Sequence, residues 1–188
     1  MSQKGKCLIC NSDCMTKIEP GMAIGRYFCP ICGVYEIWLP LDNMVNTGFD
    51  LNHLGAFLAY NGFKHSCLEG RYYTNMDKEK CIEQQKEYDS GNRAKGKPIF
   101  MSPKIVDDWY PKEISEQINF ILSYFQKFYD KTESLEKEIL CSVLFVDRFE
   151  NTLDGTQTRR NPSIVLAEIN KKLRYLIDMG FIENIKIF

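Results

Sequence analysis

The chain has 188 residues with 24 basic and 25 acidic side chains, so its formal net charge is only −1. This balance excludes a global positive field that would draw the protein to nucleic acid or to a membrane. No apolar run reaches the roughly 18 residues that a membrane span needs, and the first residues lack the apolar stretch of a secretion signal. Eight cysteines in such a sequence indicate reduced thiols and metal binding, so we expect a cytoplasmic protein.

Two C-x2-C pairs near the N-terminus carry the strongest chemical signal. Cys7 and Cys10 form the first pair, Cys29 and Cys32 form the second, and 18 residues separate the two pairs. This spacing is typical of a structural zinc site, because each pair wraps one side of a cation and four thiolates complete a tetrahedral shell. A closed shell leaves no position for a substrate, so the Zn²⁺ is expected to be structural and not catalytic.

The same thiols allow other arrangements. Paired cysteines can form two disulfides or a redox C-x-x-C motif, although a redox motif needs one pair and usually places it before a helix. Cys14 lies close enough in the sequence to replace Cys10 as a ligand. Gly33 follows the last cysteine, where a knuckle turn often needs a positive φ, and the run from Tyr35 to Trp38 predicts a ribbon strand.

Between the cysteine region and the C-terminal part, three segments predict helices. The segment "FDLNHLGAFLAYNGF" has apolar residues at helical spacing after Asp50, which is a suitable N-cap. The polar segment "MDKEKCIEQQKEYDSG" is capped by Asp77, and "SPKIVDDWYP" opens with Ser102 as cap and a proline at the first helical position. We therefore expect residues 46–110 to form a helical connecting region.

Residues 111–188 contain three amphipathic patterns. Helices are predicted in "KEISEQINFILSYFQKFY", in "SLEKEILCSVLFVDRF" and in a last stretch that begins after Asn161 and ends at Gly180. The following "FIENIKIF" predicts a strand, and three helices closed by a strand are typical of a winged helix. The predicted core of this part consists of Ile118, Leu122, Phe125, Ile139, Val143, Ile169, Leu173 and Leu176.

These patterns predict an α+β fold that is mainly helical. Residues 1–45 are expected to form a four-cysteine zinc ribbon, in which the metal supplies much of the folding free energy. Residues 46–110 would form the helical connecting region. Residues 111–188 would form the winged-helix-like domain.

Basic residues collect around the last predicted helix. Residues 155–176 contain one acid, Glu168, and five cations, namely Arg159, Arg160, Lys171, Lys172 and Arg174. In a winged helix that binds nucleic acid, these side chains would contact phosphates and base edges. Residues 131–188 nevertheless hold nine basic and nine acidic side chains, whereas a dedicated DNA-binding domain usually has a larger basic excess.

Four stretches together carry a family resemblance. The order of "CLIC…CPICGVYEI", "NHLGAFLAY", "P…EQINFILSYF" and "L…LIDMGFIE" resembles a regulatory region of bacterial proteins, which often precedes an effector such as a TIR domain in systems linked to antiphage defence. The resemblance implies that the zinc ligands are Cys7, Cys10, Cys29 and Cys32. This sequence departs from the pattern because it ends at Phe188 with no effector, so the resemblance implies no enzymatic role here.

Catalytic motifs are missing from the sequence. It has no Gly-rich phosphate loop, no G-x-S-x-G elbow and no H-E-x-x-H helix, and it has only two histidines. We therefore expect a non-catalytic zinc-binding regulatory module that binds nucleic acid through its winged helix. The alternative is an adaptor or sensor that docks a partner effector protein, with an exposed apolar patch around Trp38, Trp109 or Phe188. No membrane partner is expected.

Overall fold

The computed structural model describes five stretches of the chain, namely residues 3–18, 24–38, 48–62, 70–128 and 137–182. The chain divides into two compact units, Met1–Trp109 and Tyr110–Phe188, which are described separately. Within the five stretches, every helix is too short or too polar to cross a membrane.

The first unit is built on a six-stranded mixed sheet. Its strands are β1 (Gln3–Lys6), β2 (Asp13–Ile18), β3 (Ile24–Cys29), β4 (Gly33–Trp38), β5 (Arg71–Thr74) and β6 (Lys97–Phe100). The spatial order of the strands follows their order in the chain. Neighbouring strands are antiparallel from β1 to β4 and parallel from β4 to β6. Because parallel neighbours need a crossover connection, a helix follows β4 and another follows β5.

Helices cover both faces of this sheet. The described helices of the first unit are α1 (Leu51–Asn61), α2 (Lys78–Asp89) and α3 (Pro103–Trp109). The Phe57 ring of α1 packs edge-on against Tyr73 of β5, with the ring centroids 5.3 Å apart. The adjacent Tyr72 points to the opposite face, where its hydroxyl donates to Gln84 of α2 at 3.1 Å and its ring packs near Cys81. Consecutive strand residues alternate between faces, so β5 has one side chain packed against each helix.

The predicted helix starts of the first unit are confirmed. The carboxylate of Asp50 accepts hydrogen bonds from the backbone N–H groups two and three residues later, and Asp77 does the same at the start of α2. The hydroxyl of Ser102 accepts from the backbone N–H of Ile105 at 3.3 Å. These bonds satisfy donors that the first turn of a helix leaves without partners.

The prediction of a mainly helical protein with a helical connecting region is wrong. Strands β5 and β6 lie within that region, and they extend the ribbon strands into one sheet. Each of these strands has four residues, which is too short for a clear alternating pattern. Pro98 also argues against a strand, but β6 is at the edge of the sheet, where a proline is tolerated.

The second unit contains three described helices and a hairpin. These elements are α4 (Ile114–Phe128), α5 (Lys137–Val143), β7 (Phe149–Asn151), β8 (Gln157–Arg159) and α6 (Pro162–Asp178). Strands β7 and β8 pair antiparallel. The side chain of Asn161 accepts from the backbone N–H of Ser163 at 2.9 Å, and Pro162 takes the first position of α6, as predicted.

The winged-helix order predicted for residues 111–188 is wrong. The β7–β8 hairpin lies between α5 and α6, ahead of the last helix, and the predicted closing strand lies partly outside the described residues. The second helix ends at Val143, well before the end of its predicted segment. Phe145 has a φ of 52°, which no α-helix accommodates, so the chain turns there. The turn signal Asp154-Gly155 between the two strands could have indicated the hairpin.

Most of the core predicted for the second unit is buried. Ile118 and Leu122 of α4 are only half-buried. The other six are at most 8% exposed, namely Phe125, Ile139, Val143, Ile169, Leu173 and Leu176. The apolar stripe of α6 thus faces the interior of its unit, as its helical spacing predicts.

Replacement of Leu173 by alanine tests this core. Leu173 is 2% exposed, so the truncation leaves a cavity and should lower the free energy of unfolding by about 2–5 kcal/mol. Urea denaturation of both proteins measures the difference. Leu153→Ala is the matched control, because Leu153 is fully exposed and its truncation should leave stability unchanged. A decrease below about 0.5 kcal/mol for Leu173→Ala, the usual range of surface substitutions, would contradict the assignment.

Candidate metal centre

Two turns place the four cysteines. Cys7 and Cys10 lie in the turn between β1 and β2, while Cys29 ends β3 and Cys32 precedes β4. The residue after each pair has a positive φ, 64° at Asn11 and 77° at Gly33. The value at Gly33 confirms the prediction for the second knuckle, and asparagine is among the few other residues that adopt this conformation readily.

The four sulfur atoms form one buried cluster. The side chains of Cys7, Cys10, Cys29 and Cys32 are all at most 5% exposed, and their sulfur atoms lie within 4.8 Å of one another. The sulfur atoms of Cys10 and Cys29 are 3.4 Å apart. A tetrahedral zinc with Zn–S bonds near ~2.3 Å places its sulfurs about 3.8 Å apart. These cysteines are free of disulfides, so they could bind a metal ion together.

Neighbouring groups donate hydrogen bonds to the cluster. The backbone N–H groups of Ile31 and Cys32 point at the sulfur of Cys29, at 3.4 Å and 3.3 Å. The hydroxyl of Tyr35 lies 3.1 Å from the sulfur of Cys7, and burial raises the pKa of Tyr35 well above its usual range. The tyrosine therefore keeps its proton and can donate a hydrogen bond to the sulfur. Such donors stabilise thiolate charge and orient metal ligands.

The thiols influence one another strongly. Hydrogen bonds from the other cysteines, with Cys10 the largest contributor, lower the pKa of Cys7 far below its usual range. A hydrogen bond with Cys29 lowers the pKa of Cys10 to about 7. Hydrogen bonds with Cys10 are in turn the main cause of the raised pKa values of Cys29 and Cys32. The protonation of the four sulfur atoms is thus coupled, and a cation among them would favour the thiolate form of each.

Cys14 does not belong to the cluster. It is a buried residue of β2, and burial is the main cause that raises the pKa of its thiol to about 11. The four-sulfur group instead contains Cys10. The alternative in which Cys14 replaces Cys10 therefore has no support in the geometry.

Two of the five cations around α6 make strong contacts within the second unit. The guanidinium of Arg160 forms a bidentate pair with Glu168, at 2.8 Å and 3.0 Å, and also donates to the backbone carbonyl of Asp147. The ammonium of Lys172 donates to the carbonyls of Leu144 and Phe145, each at 2.8 Å. These carbonyls follow α5, so Lys172 satisfies acceptors at the end of that helix.

The other three cations have exposed side chains. The guanidinium of Arg159 lies over the ring of Phe149, 4.7 Å from its centroid. Lys171 and Arg174 are exposed on α6, three residues apart and therefore on one side of the helix. Of the five residues predicted to contact nucleic acid, Arg160 and Lys172 thus bind groups of their own unit. Arg159, Lys171 and Arg174 have exposed side chains.

A groove between α4 and α6 was not predicted from the sequence. It has a volume of about 600 Å³, and its apolar lining comes from Ile114, Ile118, Ile121, Tyr175 and Leu176. Ile114 is 70% exposed and Tyr175 is 48% exposed. The signal for this groove was the apolar stripe of α4, which begins at the exposed Ile114 in the first turn of the helix. The prediction of an adaptor protein placed its exposed apolar patch elsewhere, around Trp38, Trp109 or Phe188. Trp38 and Trp109 are half-buried, and Phe188 lies outside the described residues.

Comparison with known proteins found no relative. No protein family model matches the chain, and no significant match was found among curated proteins or solved structures. The resemblance to regulatory regions of antiphage-defence proteins therefore stays a prediction.

Proposed function

We propose that Cys7, Cys10, Cys29 and Cys32 bind one Zn²⁺ and that this ion stabilises the fold without taking part in catalysis. The donor set supports zinc, because four thiolates in a tetrahedral cluster suit Zn²⁺ better than the hard cations. The site joins the β1–β2 turn to the β3–β4 turn, so the ion would clamp two hairpins that have short strands. Reduced thiols of this kind fit a cytoplasmic setting.

Metal analysis of the purified protein tests the zinc proposal. We expect about one zinc per chain, with Zn–S distances near ~2.3 Å in X-ray absorption. Cys29→Ser should lower the zinc content and destabilise the first unit, because metal binding is coupled to folding. Both tryptophans lie in that unit, so their fluorescence reports its unfolding, while hydrogen exchange of α6 should change little.

The matched control for this experiment is Cys14→Ser. Cys14 is also buried and lies on β2, but it is outside the four-sulfur cluster, so its replacement should leave the zinc content unchanged. A disulfide within the cluster, or a Cys29→Ser protein that retains its zinc, would contradict the proposal.

We further propose that the protein is a non-catalytic regulatory module that docks an amphipathic helix of a partner protein. The observation that carries this proposal is the apolar groove between α4 and α6. Exposed apolar side chains that line one concave surface mark interaction sites, and two neighbouring helices form the kind of groove that receives a third. An effector protein, as the resemblance implies, is the partner class that we propose.

Charge around the groove supports an acidic partner helix. Lys171 and Lys172 line the groove together with Glu168, whose carboxylate is already paired with Arg160. The carbonyls that bind Lys172 are neutral, so its positive charge is not cancelled. The wall formed by α6 therefore has a positive excess, which complements a helix with one apolar stripe and acidic flanks.

A synthetic helical peptide tests the groove. The probe has leucine at helical spacing on one face and glutamate beside that face, and its binding is followed by fluorescence anisotropy. Ile114→Glu places a carboxylate in the groove and should weaken binding by about tenfold or more, because anchors in apolar pockets dominate such interfaces. Leu153→Glu is the control, since Leu153 is an exposed apolar residue of the hairpin turn. Equal affinities of the wild-type and Ile114→Glu proteins would contradict the docking proposal.

Nucleic acid is the second candidate ligand. The exposed positions of Lys171 and Arg174, one turn apart on α6, are the observation that favours it. Arg159 at the end of β8 adds a third exposed cation. Side chains in these positions could contact successive phosphates without the winged helix that was predicted.

The salt dependence of binding to duplex DNA tests this candidate. The Lys171→Ala, Arg174→Ala double variant should bind more weakly and show a shallower log–log salt slope, by about 0.9 for each phosphate that the variant no longer neutralises. Lys172→Ala is the control, because its ammonium is bound to the carbonyls after α5, and it should change stability without changing the slope. An unchanged slope in the double variant would remove these residues from the mechanism.

A further inference from the structure

Tyr35 brings a buried hydroxyl to the sulfur cluster. The residue lies on β4, its side chain is fully buried, and its hydroxyl oxygen is 3.1 Å from the sulfur of Cys7 in the β1–β2 turn. Cys29 is contacted differently, because backbone N–H groups of its own turn point at its sulfur. Backbone donors are present in any sequence that forms such a turn. The hydroxyl at Cys7 depends on the presence of a tyrosine at this position of β4.

The ring of Tyr35 is held in place independently of its hydroxyl. Tyr27 lies opposite Tyr35 in the β3–β4 register, and the two rings stack with their centroids 4.8 Å apart and their planes 11° apart. The side chain of Tyr35 is 0% exposed, so close packing fixes its position. A phenylalanine ring at this position would make the same stack, so the packing does not require the hydroxyl.

A buried hydroxyl needs a hydrogen-bond partner. Burial of a hydroxyl without such a partner is costly, and the hydroxyl of Tyr35 lies within hydrogen-bond distance of the Cys7 sulfur. A neutral thiol is a weak acceptor, whereas an ionised acceptor forms hydrogen bonds that are roughly twice as strong as neutral ones. The contact between Tyr35 and Cys7 is therefore strongest when Cys7 is a metal-bound thiolate.

A divalent ion leaves the shell of four sulfurs negatively charged. Zn²⁺ cancels only part of the charge of four thiolates, and the cluster is buried, where uncancelled charge is costly. A hydroxyl that donates to one ligand withdraws part of this charge and fixes the position of that sulfur. Loss of an outer contact of this kind typically lowers metal affinity by about 10–100-fold.

We infer that Tyr35 is a positioning residue of the metal centre, whose hydroxyl donates to the metal-bound sulfur of Cys7 and thereby raises the affinity for the ion. The inference rests on the zinc site proposed above and adds to it a residue that is not a ligand. Tyr35 acts through Cys7 and does not touch the ion.

Other side chains of β4 lie on the opposite face of the sheet, because successive strand residues alternate between faces. Glu36 and Trp38 contact each other there, with the indole N–H donating to Glu36 at 2.6 Å. They line a cavity of about 160 Å³, and its lining also includes Lys17, Arg26, Tyr72 and Lys95. Trp38 therefore reports on the fold of β4 from the face opposite to Tyr35, so tryptophan emission shows whether a Tyr35 variant is folded.

Tyr35→Phe removes the hydroxyl and keeps the ring. In competition with a chromogenic chelator, the affinity for zinc should fall by about tenfold or more. Loss of the hydrogen bond also raises the energy of the sulfur lone pairs, so the thiolate-to-metal charge-transfer band of the cobalt-substituted protein should shift to lower energy. An unchanged band overturns the inference even if the affinity falls, because a packing defect alone could lower the affinity. An unchanged zinc affinity overturns it as well, and both results leave the zinc proposal intact.

Tyr27→Phe is the matched control. It removes the hydroxyl from the other ring of the same stack, but this hydroxyl lies over Gly25, where an added β-carbon would come within 3.1 Å of it. The zinc affinity and the cobalt band of this variant should equal those of the wild-type protein. Equal changes in the two variants would indicate a disturbed stack and would overturn the inference.

A measurement on the wild-type protein covers the case in which Tyr35→Phe does not fold. With an NMR-active cadmium isotope in the site, the hydroxyl proton of Tyr35 should exchange slowly with solvent and show a scalar coupling to the metal across the hydrogen bond. A rapidly exchanging or uncoupled proton overturns the inference. A wild-type protein that takes up neither zinc, cobalt nor cadmium overturns the zinc proposal together with the inference, so the two failures are distinguishable.

Discussion

The burial of four cysteine thiols in one cluster is the constraint on which the first unit depends. Cys7, Cys10, Cys29 and Cys32 come from two turns, and hydrogen bonds with Cys10 are the main cause that raises the pKa values of Cys29 and Cys32. The sulfur cluster also brings the β1–β2 turn, at the start of the sheet, next to the β3–β4 hairpin. A metal ion bound at this point would link the two hairpins, which also pair with each other through β2 and β3.

Strand β4 connects the sulfur cluster with the cavity. It begins one residue after Cys32, and its side chains then alternate between the two faces of the sheet. Tyr35 points its hydroxyl toward Cys7, while Glu36 and Trp38 bind each other at the cavity. The register that places Arg26 opposite Glu36 belongs to the hairpin that the second cysteine pair closes. The sulfur cluster and the cavity wall therefore share one structural element.

Features that depend on residues close together in the chain could be predicted from the sequence. The cysteine knuckles, the caps at Asp50 and Asp77 and the apolar stripe of α6 are all local patterns. Strands β5 and β6 were missed because their pairing joins residues that are far apart in the chain, and the strands themselves are short. The number of exposed cations around α6 was overestimated because contacts between distant residues were again invisible in the sequence. A charge count cannot show that Arg160 pairs with Glu168 or that Lys172 binds carbonyls after α5.

The Arg26–Glu36 pair fixes the arrangement of the side chains around it. Removal of both charges from water is costly, and a well-packed apolar pair of similar size is often as stable or more so. Here the pair also takes hydrogen bonds from Trp38 and Thr74 and stacks on Tyr72, so five side chains are held in one arrangement. Such an arrangement fixes an indole and a guanidinium at a concave surface that has two further lysines. The pair therefore acts mainly on the geometry of its neighbours, because the loss of solvation of its two charges offsets much of their attraction.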